Sequence, residues 1–156
     1  GTFAALTYWF PKMFGRMMNE TLGKIHFWGT IISVNFIFIP LFVTGAAGQH
    51  RRIYNYNHFP DVATPDLQSL NVLATLALVT LLGFQFVFLF NFAYSLFRGE
   101  KAPKNPWKAN TLEWTTPSPP GHGNWPPDEM PVVYRGPYEY SVPGREEDYW
   151  PQNAKN

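Results

Sequence analysis

The sequence contains no cysteine. That excludes disulfides, thiolate metal sites and iron–sulfur clusters. It has little net charge, +1 at neutral pH, and no basic stripe. Nucleic-acid binding therefore has no electrostatic support. No nucleophile–base pair, phosphate loop or carboxylate dyad can be picked out. No internal repeat is visible. The chain opens on Gly1 inside an apolar stretch, without a signal-peptide pattern. Gly1 reads as an internal position of a longer chain, or of one whose beginning is missing.

What is present is unevenly spread. Mean hydropathy is slightly negative, yet the apolar residues lie almost entirely before Arg98. Of fifteen prolines, only Pro11, Pro40, Pro60 and Pro65 precede Arg98. The two parts are suited to different solvents. Fourteen phenylalanines suit a lipid or cofactor environment better than a small soluble core.

Residues 1–10 are apolar and stop at Pro11. They are too few to span a bilayer, which takes about twenty residues, and read as the end of a transmembrane helix. Tyr8 and Trp9 sit where an interfacial aromatic belt would put them. Residues 11–24 form a loop with Lys12, Arg16, Lys24 and one acid, Glu20. Asn19 or Thr21 can cap the next helix. Residues 25–48 carry no formal charge and are long enough to span, with Pro40 inside the run.

Residues 49–64 are a polar outer loop. Thr64-Pro65-Asp66 is a helix start: a hydroxyl cap, proline at the first helical position and an acid in the first turn. Residues 65–97 form a second spanning helix with an uncharged centre. The expected pair is antiparallel and adjacent. Residues 98–156 are a tail rich in proline and aromatics. Its prolines forbid long helices, and its aromatics argue against free disorder. Those aromatics are expected to dock on a partner surface. The fold class is all-α membrane: two transmembrane helices, a helix stub and a Pro-rich extramembrane tail.

Lysine and arginine in the short flanks set orientation. The loop 11–24 and the segment after residue 97 both carry bases, so that side, tail included, is cytoplasmic. Arg51 and Arg52 then lie outside, against the rule. An arginine pair suits planar anions held bidentately. Lipid phosphates, partner carboxylates and cofactor carboxylates are all open at this point.

His26, Thr30, Ser33, Pro40 and Thr44 share one side of the first spanning helix. This narrow stripe of small and polar residues should face protein. His26 could be a metal ligand, a proton-path residue or a helix–helix hydrogen-bond partner. Asn71, Thr75 and Gln85 share a face of the second helix, with Thr80 and Asn91 expected opposite. His50, His58, Asp61 and Asp66 crowd the outer loop without a recognisable metal spacing.

Several motifs add a resemblance. Tyr8-Trp9-Phe10-Pro11-Lys12-Met13, Gly15-Arg16, Asn19-Glu20 and Leu22-Gly23-Lys24-Ile25-His26-Phe27-Trp28 resemble the stretch joining helices ten and eleven of cytochrome c oxidase subunit I. Asn35-Phe36 and Pro40 continue the match. Arg51-Arg52 with Tyr54, and Pro60-Asp61, resemble the family's arginine pair and its surroundings. Phe97-Arg98-Gly99-Glu100, Asn105-Pro106-Trp107, Asn110-Thr111-Leu112-Glu113-Trp114 and Thr116-Pro117-Ser118-Pro119-Pro120 are similar to the segment after helix twelve in bacterial members. The family often has Gln-His where this chain has Leu41-Phe42, and Met-Pro where it has Gln49-His50. The resemblance ends near Pro120.

The resemblance implies the C-terminal part of the catalytic subunit of a haem–copper oxidase, within a twelve-helix bundle. That enzyme reduces oxygen to water with electrons from cytochrome c and pumps protons. This segment alone is expected to be inactive. It implies that Arg51 and Arg52 contact haem propionates, while the haem's axial ligands and the copper centre lie outside this chain. His26, Asp61 and Tyr54 are candidates for a proton or water path, or for packing. The implied partners are the rest of subunit I, other oxidase subunits, cytochrome c and the lipid bilayer. The implied location is a bacterial inner membrane, crossed more than once. A non-catalytic membrane scaffold subunit is the alternative.

Overall fold

The computed structural model describes residues 1–55, 65–140 and 142–155. Three α-helices occur in order: α1 (Thr2–Phe14), α2 (Glu20–Ala46) and α3 (Pro65–Arg98). Beyond α3 there are only two short 3-10 turns among the described residues, Leu112–Thr115 and Pro127–Glu129. No named strand occurs among the described residues; an isolated antiparallel bridge joins Arg16 and Lys101. The two long helices are apolar enough and long enough to cross a membrane. The all-α membrane class expected from the sequence is what forms. Thr64, the expected cap of α3, lies outside the described residues.

The chain divides into two compact units, Asn19–Phe92 and Gly1–Met18 with Ala93–Asn156. The first is a helical hairpin. Asn19 caps α2, its side chain accepting from the Leu22 amide at 3.0 Å. Asn19 also meets the far end of α3: Asn91 Nδ2 donates to the Asn19 carbonyl at 3.0 Å, and the Asn19 amide donates to Asn91 Oδ1 at 3.1 Å. At the other end Gln49 and Asn71 exchange two amide hydrogen bonds, at 3.3 and 3.1 Å. Early residues of one helix thus meet late residues of the other. The pair is antiparallel and neighbouring, as the apolar runs predict.

The buried residues of α2 are His26, Gly29, Ser33, Pro40 and Thr44. They recur at intervals of three, four and seven, the period of a supercoiled seam. On α3, Ala74, Ala77, Phe88 and Asn91 are buried. Small residues at such a seam let two backbones approach closely. Gly29 shows how closely: a Cβ there would run into the Phe84 ring. The large apolar side chains point away. Phe38, Phe42, Leu76, Val79 and Phe86 are all more than half exposed. In water such a surface would aggregate; it suits lipid or further membrane helices.

Asn91 corrects one expectation. A straight helical wheel sets it opposite Gln85 and Asn71. In the structure all three flank one seam, because a seam with a period near 3.5 drifts across a helix of period 3.6 by about 20° per heptad. Thr75 and Thr80, in contrast, are exposed and satisfy their hydroxyls on their own helix, on the Asn71 and Leu76 carbonyls.

The second unit is built from α1, the last turn of α3 and the tail. The helix does not stop at Pro11, as the sequence suggests; it runs on to Phe14. Gly15 ends it with φ 67°, and its amide bonds back to the Pro11 carbonyl. That left-handed conformation is cheap only for glycine. Met17 then pairs with Glu100, and Ala102 with Gly15, through the backbone. The ends of α1 and α3 therefore meet on the same side. The tail's distal half is gathered by two side chains. Asn110 binds the Asp148 carbonyl and the Trp150 amide. Gln152 binds the Leu112 amide and the Arg135 carbonyl.

Candidate functional site

Arg51 and Arg52 come directly after the turn that closes α2. Gly48 and Gln49 cap that helix end by donating to the Gly45 and Thr44 carbonyls. Both arginines are exposed. Arg52 adopts φ 60°, a conformation that few non-glycine residues take and that clusters at functional turns. Among the described residues, the one ion pair formed is Lys24–Glu20, so no described carboxylate neutralises either guanidinium. Tyr54 is fully exposed. Asp61 and His58 lie outside the described residues, and among the described residues no hydrogen bond joins Tyr54 to the arginines.

His26 is buried, 6% exposed. Its Nε2 lies 3.4 Å from Gln85 Oε1, and its ring packs against Phe88 at 5.0 Å between centroids. Gln85 also reaches the Thr30 hydroxyl at 3.3 Å. His26, Thr30 and Gln85 form a polar cluster across the seam. Among the described residues no three His, Asp or Glu side chains converge as a metal site would require. Of the three roles open to His26, hydrogen bonding between helices is the one this geometry displays.

A third constellation does not stand out in the sequence. Tyr8, Lys12 and Arg16 lie four residues apart, in register along α1 and its C-terminal extension. The Tyr8 carbonyl accepts from Trp107 Nε1 at 2.9 Å, and its hydroxyl accepts from Trp114 Nε1 at 2.9 Å. The Tyr8 ring stacks on Trp107 and meets Trp114 edge-on. Lys12 Nζ donates to the carbonyls of Thr116 at 2.5 Å, Lys104 at 3.0 Å and Pro117 at 3.2 Å. It also sits 5.2 Å from the centre of the Trp114 ring. Arg16 donates to the Gly99 carbonyl at 2.6 Å.

Trp107 and Trp114 thus dock on their own chain's α1, not on the partner surface that the composition suggests. Lys12 is 7% exposed. Burial lowers the proton affinity of its ammonium; the charge of Lys104 adds to that and Glu113 opposes it. A buried charge is tolerated when its donors are satisfied, and three carbonyls match the three ammonium protons. In sequence Lys12 and Arg16 count as loop charges and as members of the resemblance motifs, with no partner assigned to either. Their spacing from Tyr8 is the signal available. Their acceptors are backbone carbonyls, which leave no trace in sequence.

Comparison with known proteins adds what geometry alone does not. The family described as Cytochrome C and Quinol oxidase polypeptide I matches residues 1–83. The chain is 47% identical over 150 residues to the alternative cytochrome c oxidase subunit 1 of Bradyrhizobium diazoefficiens, covering 96% of this chain and 25% of that protein. It is 45% identical over 140 residues to cytochrome c oxidase subunit 1 of Synechocystis, covering 90% and 24%. It is also 41% identical over 133 residues to the heme-copper oxidase subunit I+III of Aeropyrum pernix, covering 85% and 15%. The chain spans about a quarter of the length of the first of these relatives.

Proposed function

This chain belongs to the cytochrome c and quinol oxidase polypeptide I family, and from that premise we propose that it is the C-terminal part of the catalytic subunit of a proton-pumping terminal oxidase. That enzyme reduces oxygen to water with electrons from cytochrome c. This part closes a twelve-helix bundle and grips the cofactor's acidic edge. By itself it is inactive. The remainder of subunit I supplies the axial haem ligands and the copper centre, and further oxidase subunits complete the assembly.

The carrying observation is the arginine pair at the end of α2. Two exposed guanidiniums without a described carboxylate partner fit the two propionates of a haem. Each planar fork can hold one carboxylate bidentately. Haem, when bound, supplies the electron-carrying iron. The contribution of Arg51 and Arg52 is to hold negative charge ionised and in place, which couples the haem's electron affinity to nearby protons.

The helices cross a bacterial inner membrane. The backbone pairing of residues 15–17 with 99–102 supports the reading that the two basic flanks share one side of the membrane. The charge rule makes that side cytoplasmic, and the tail with it. Arg51 and Arg52 then face outward, where lipid phosphate is the competing anion.

The test is Arg51→Lys and Arg52→Lys, singly and together, in the complete oxidase. Lysine keeps the charge and loses the fork. The expected result is a shifted haem midpoint potential and lower turnover with the fold intact. Unchanged spectra, potential and turnover in all three variants would favour lipid anchoring and a scaffold role.

A further inference from the structure

We propose that residues 99–119 form a strap on α1 whose return is locked by the Lys12 ammonium, which joins its two arms at Lys104 and at Thr116 and Pro117. The inference does not rest on the arginine pair or on haem contact. It rests on how the groups that hold the strap are arranged.

The strap lies along one face of α1, under Arg16, then Lys12, then Tyr8. At its start the chain is held by backbone: Met17 to Glu100 and Ala102 to Gly15. A Cβ on Gly99 would approach within 2.6 Å of the Met17 carbonyl, so no larger residue fits there. At its middle the strap doubles back. Lys104 and Thr116 are twelve positions apart in sequence, yet their carbonyls share one ammonium with that of Pro117. One turn earlier on α1, Tyr8 also meets both arms, through Trp107 and Trp114; at Lys104 and Thr116 it is the Lys12 ammonium that joins them. Ser118 assists weakly from within, at 3.4 Å from the Pro103 and Lys104 carbonyls.

The cradle has the chemistry of a receptor for a primary alkylammonium. Three carbonyl oxygens meet three N–H donors, and the Trp114 indole face lies beside the charge. A ring face attracts such a cation most when water is excluded. Trp114 is 1% exposed, and that condition is met. Guanidinium would not substitute, because its donors lie in one plane.

If the ammonium is the lock, an ammonium supplied from solution should restore it. The experiment uses the complete chain in its native membrane complex, carrying Lys12→Ala. Trypsin can cut the strap at Lys101, Lys104 and Lys108. Cleavage after local opening reports the open population. The expected rate is at least about tenfold above the parent, since each 1.4 kcal/mol of lost closure is tenfold. Adding n-propylammonium should return it towards the parental rate, and 1-propanol should not. Cleavage at the parental rate, or faster cleavage indifferent to n-propylammonium, would overturn the proposal. Lys12→Met keeps the aliphatic stem, provides the same readout if the alanine variant does not assemble, and should also open the strap. The unaltered complex gives an independent check. An amine-acylating reagent should modify Lys12 far more slowly than Lys108 until the strap is cut; equal rates in the intact complex would sink the lock.

Discussion

The helical hairpin and the strapped tail solve the same problem in opposite ways. In the hairpin the interior is small and polar and the exterior is large and apolar. Where the tail lies on α1, an indole and a lysine are inside, while charged residues share the tail's exterior with tyrosines and valines. In the hairpin, apolar bulk gains nothing by turning inward if lipid surrounds it, so close packing and side-chain hydrogen bonds hold the pair. In the tail, water makes burial of aromatic area the main driving force. The tail also has backbone carbonyls that no helix satisfies, and side-chain donors answer them: Lys12, Arg16 and Asn110. Solvent, more than composition, decides what counts as a core.

The sharpest way to break this contrast is to remove the tail's one large buried ring. Trp114→Ala should cost the tail about 3–5 kcal/mol, the range for a buried tryptophan truncated to alanine. Loss of protection of the amides of residues 105–116 in hydrogen exchange would record it. A cost under about 1 kcal/mol would mean that hydrogen bonds, not aromatic burial, hold the tail.

The hairpin should be most sensitive to added size. Gly29→Leu drives a side chain into the Phe84 ring and should cost about 1–3 kcal/mol by overpacking. Unfolding of the reconstituted complex would measure it. A neutral result would show that the seam is looser than its buried glycine suggests. Deleting a polar contact should matter least. Gln85→Leu removes the link to His26 and Thr30 and should cost roughly 0.6 kcal/mol, the average for such bonds in membranes. Thr80→Val, outside the seam, is the control. A Gln85 effect several times larger would make the polar cluster, not packing, the source of helix pairing.

Much of the hairpin is legible in the sequence. Asn19, Pro65 and the charge-free runs mark the helix ends closely, because caps and charges act locally. The stripe of His26, Ser33, Pro40 and Thr44 can be read because it repeats. Asn91 cannot be placed on a straight wheel, because the drift of a supercoiled seam accumulates over several turns. The arginine pair stands out because its sign runs against the orientation expected from the basic flanks. Asp61 lies outside the described residues, so its suggested part in a proton path rests on resemblance alone. The tail is legible only in outline. Prolines announce the absence of helix, but the partner of Trp107 and of Trp114 lies about a hundred residues away in sequence, at Tyr8. Local rules do not reach that far.

The two amide side chains that gather the distal tail impose an order in time. The Trp150 amide and the Asp148 carbonyl that satisfy Asn110 come forty and thirty-eight residues after it. A ribosome adding about 5–20 residues per second needs roughly 2 to 8 seconds to make that stretch. During that interval α1, α2 and α3 are already synthesised, while Asn110 still awaits these two groups. The distal tail therefore closes last, after the helices have had time to enter the bilayer and pair. A ribosome stalled between residues 112 and 148 should hold a chain whose hairpin resists protease and whose distal tail does not.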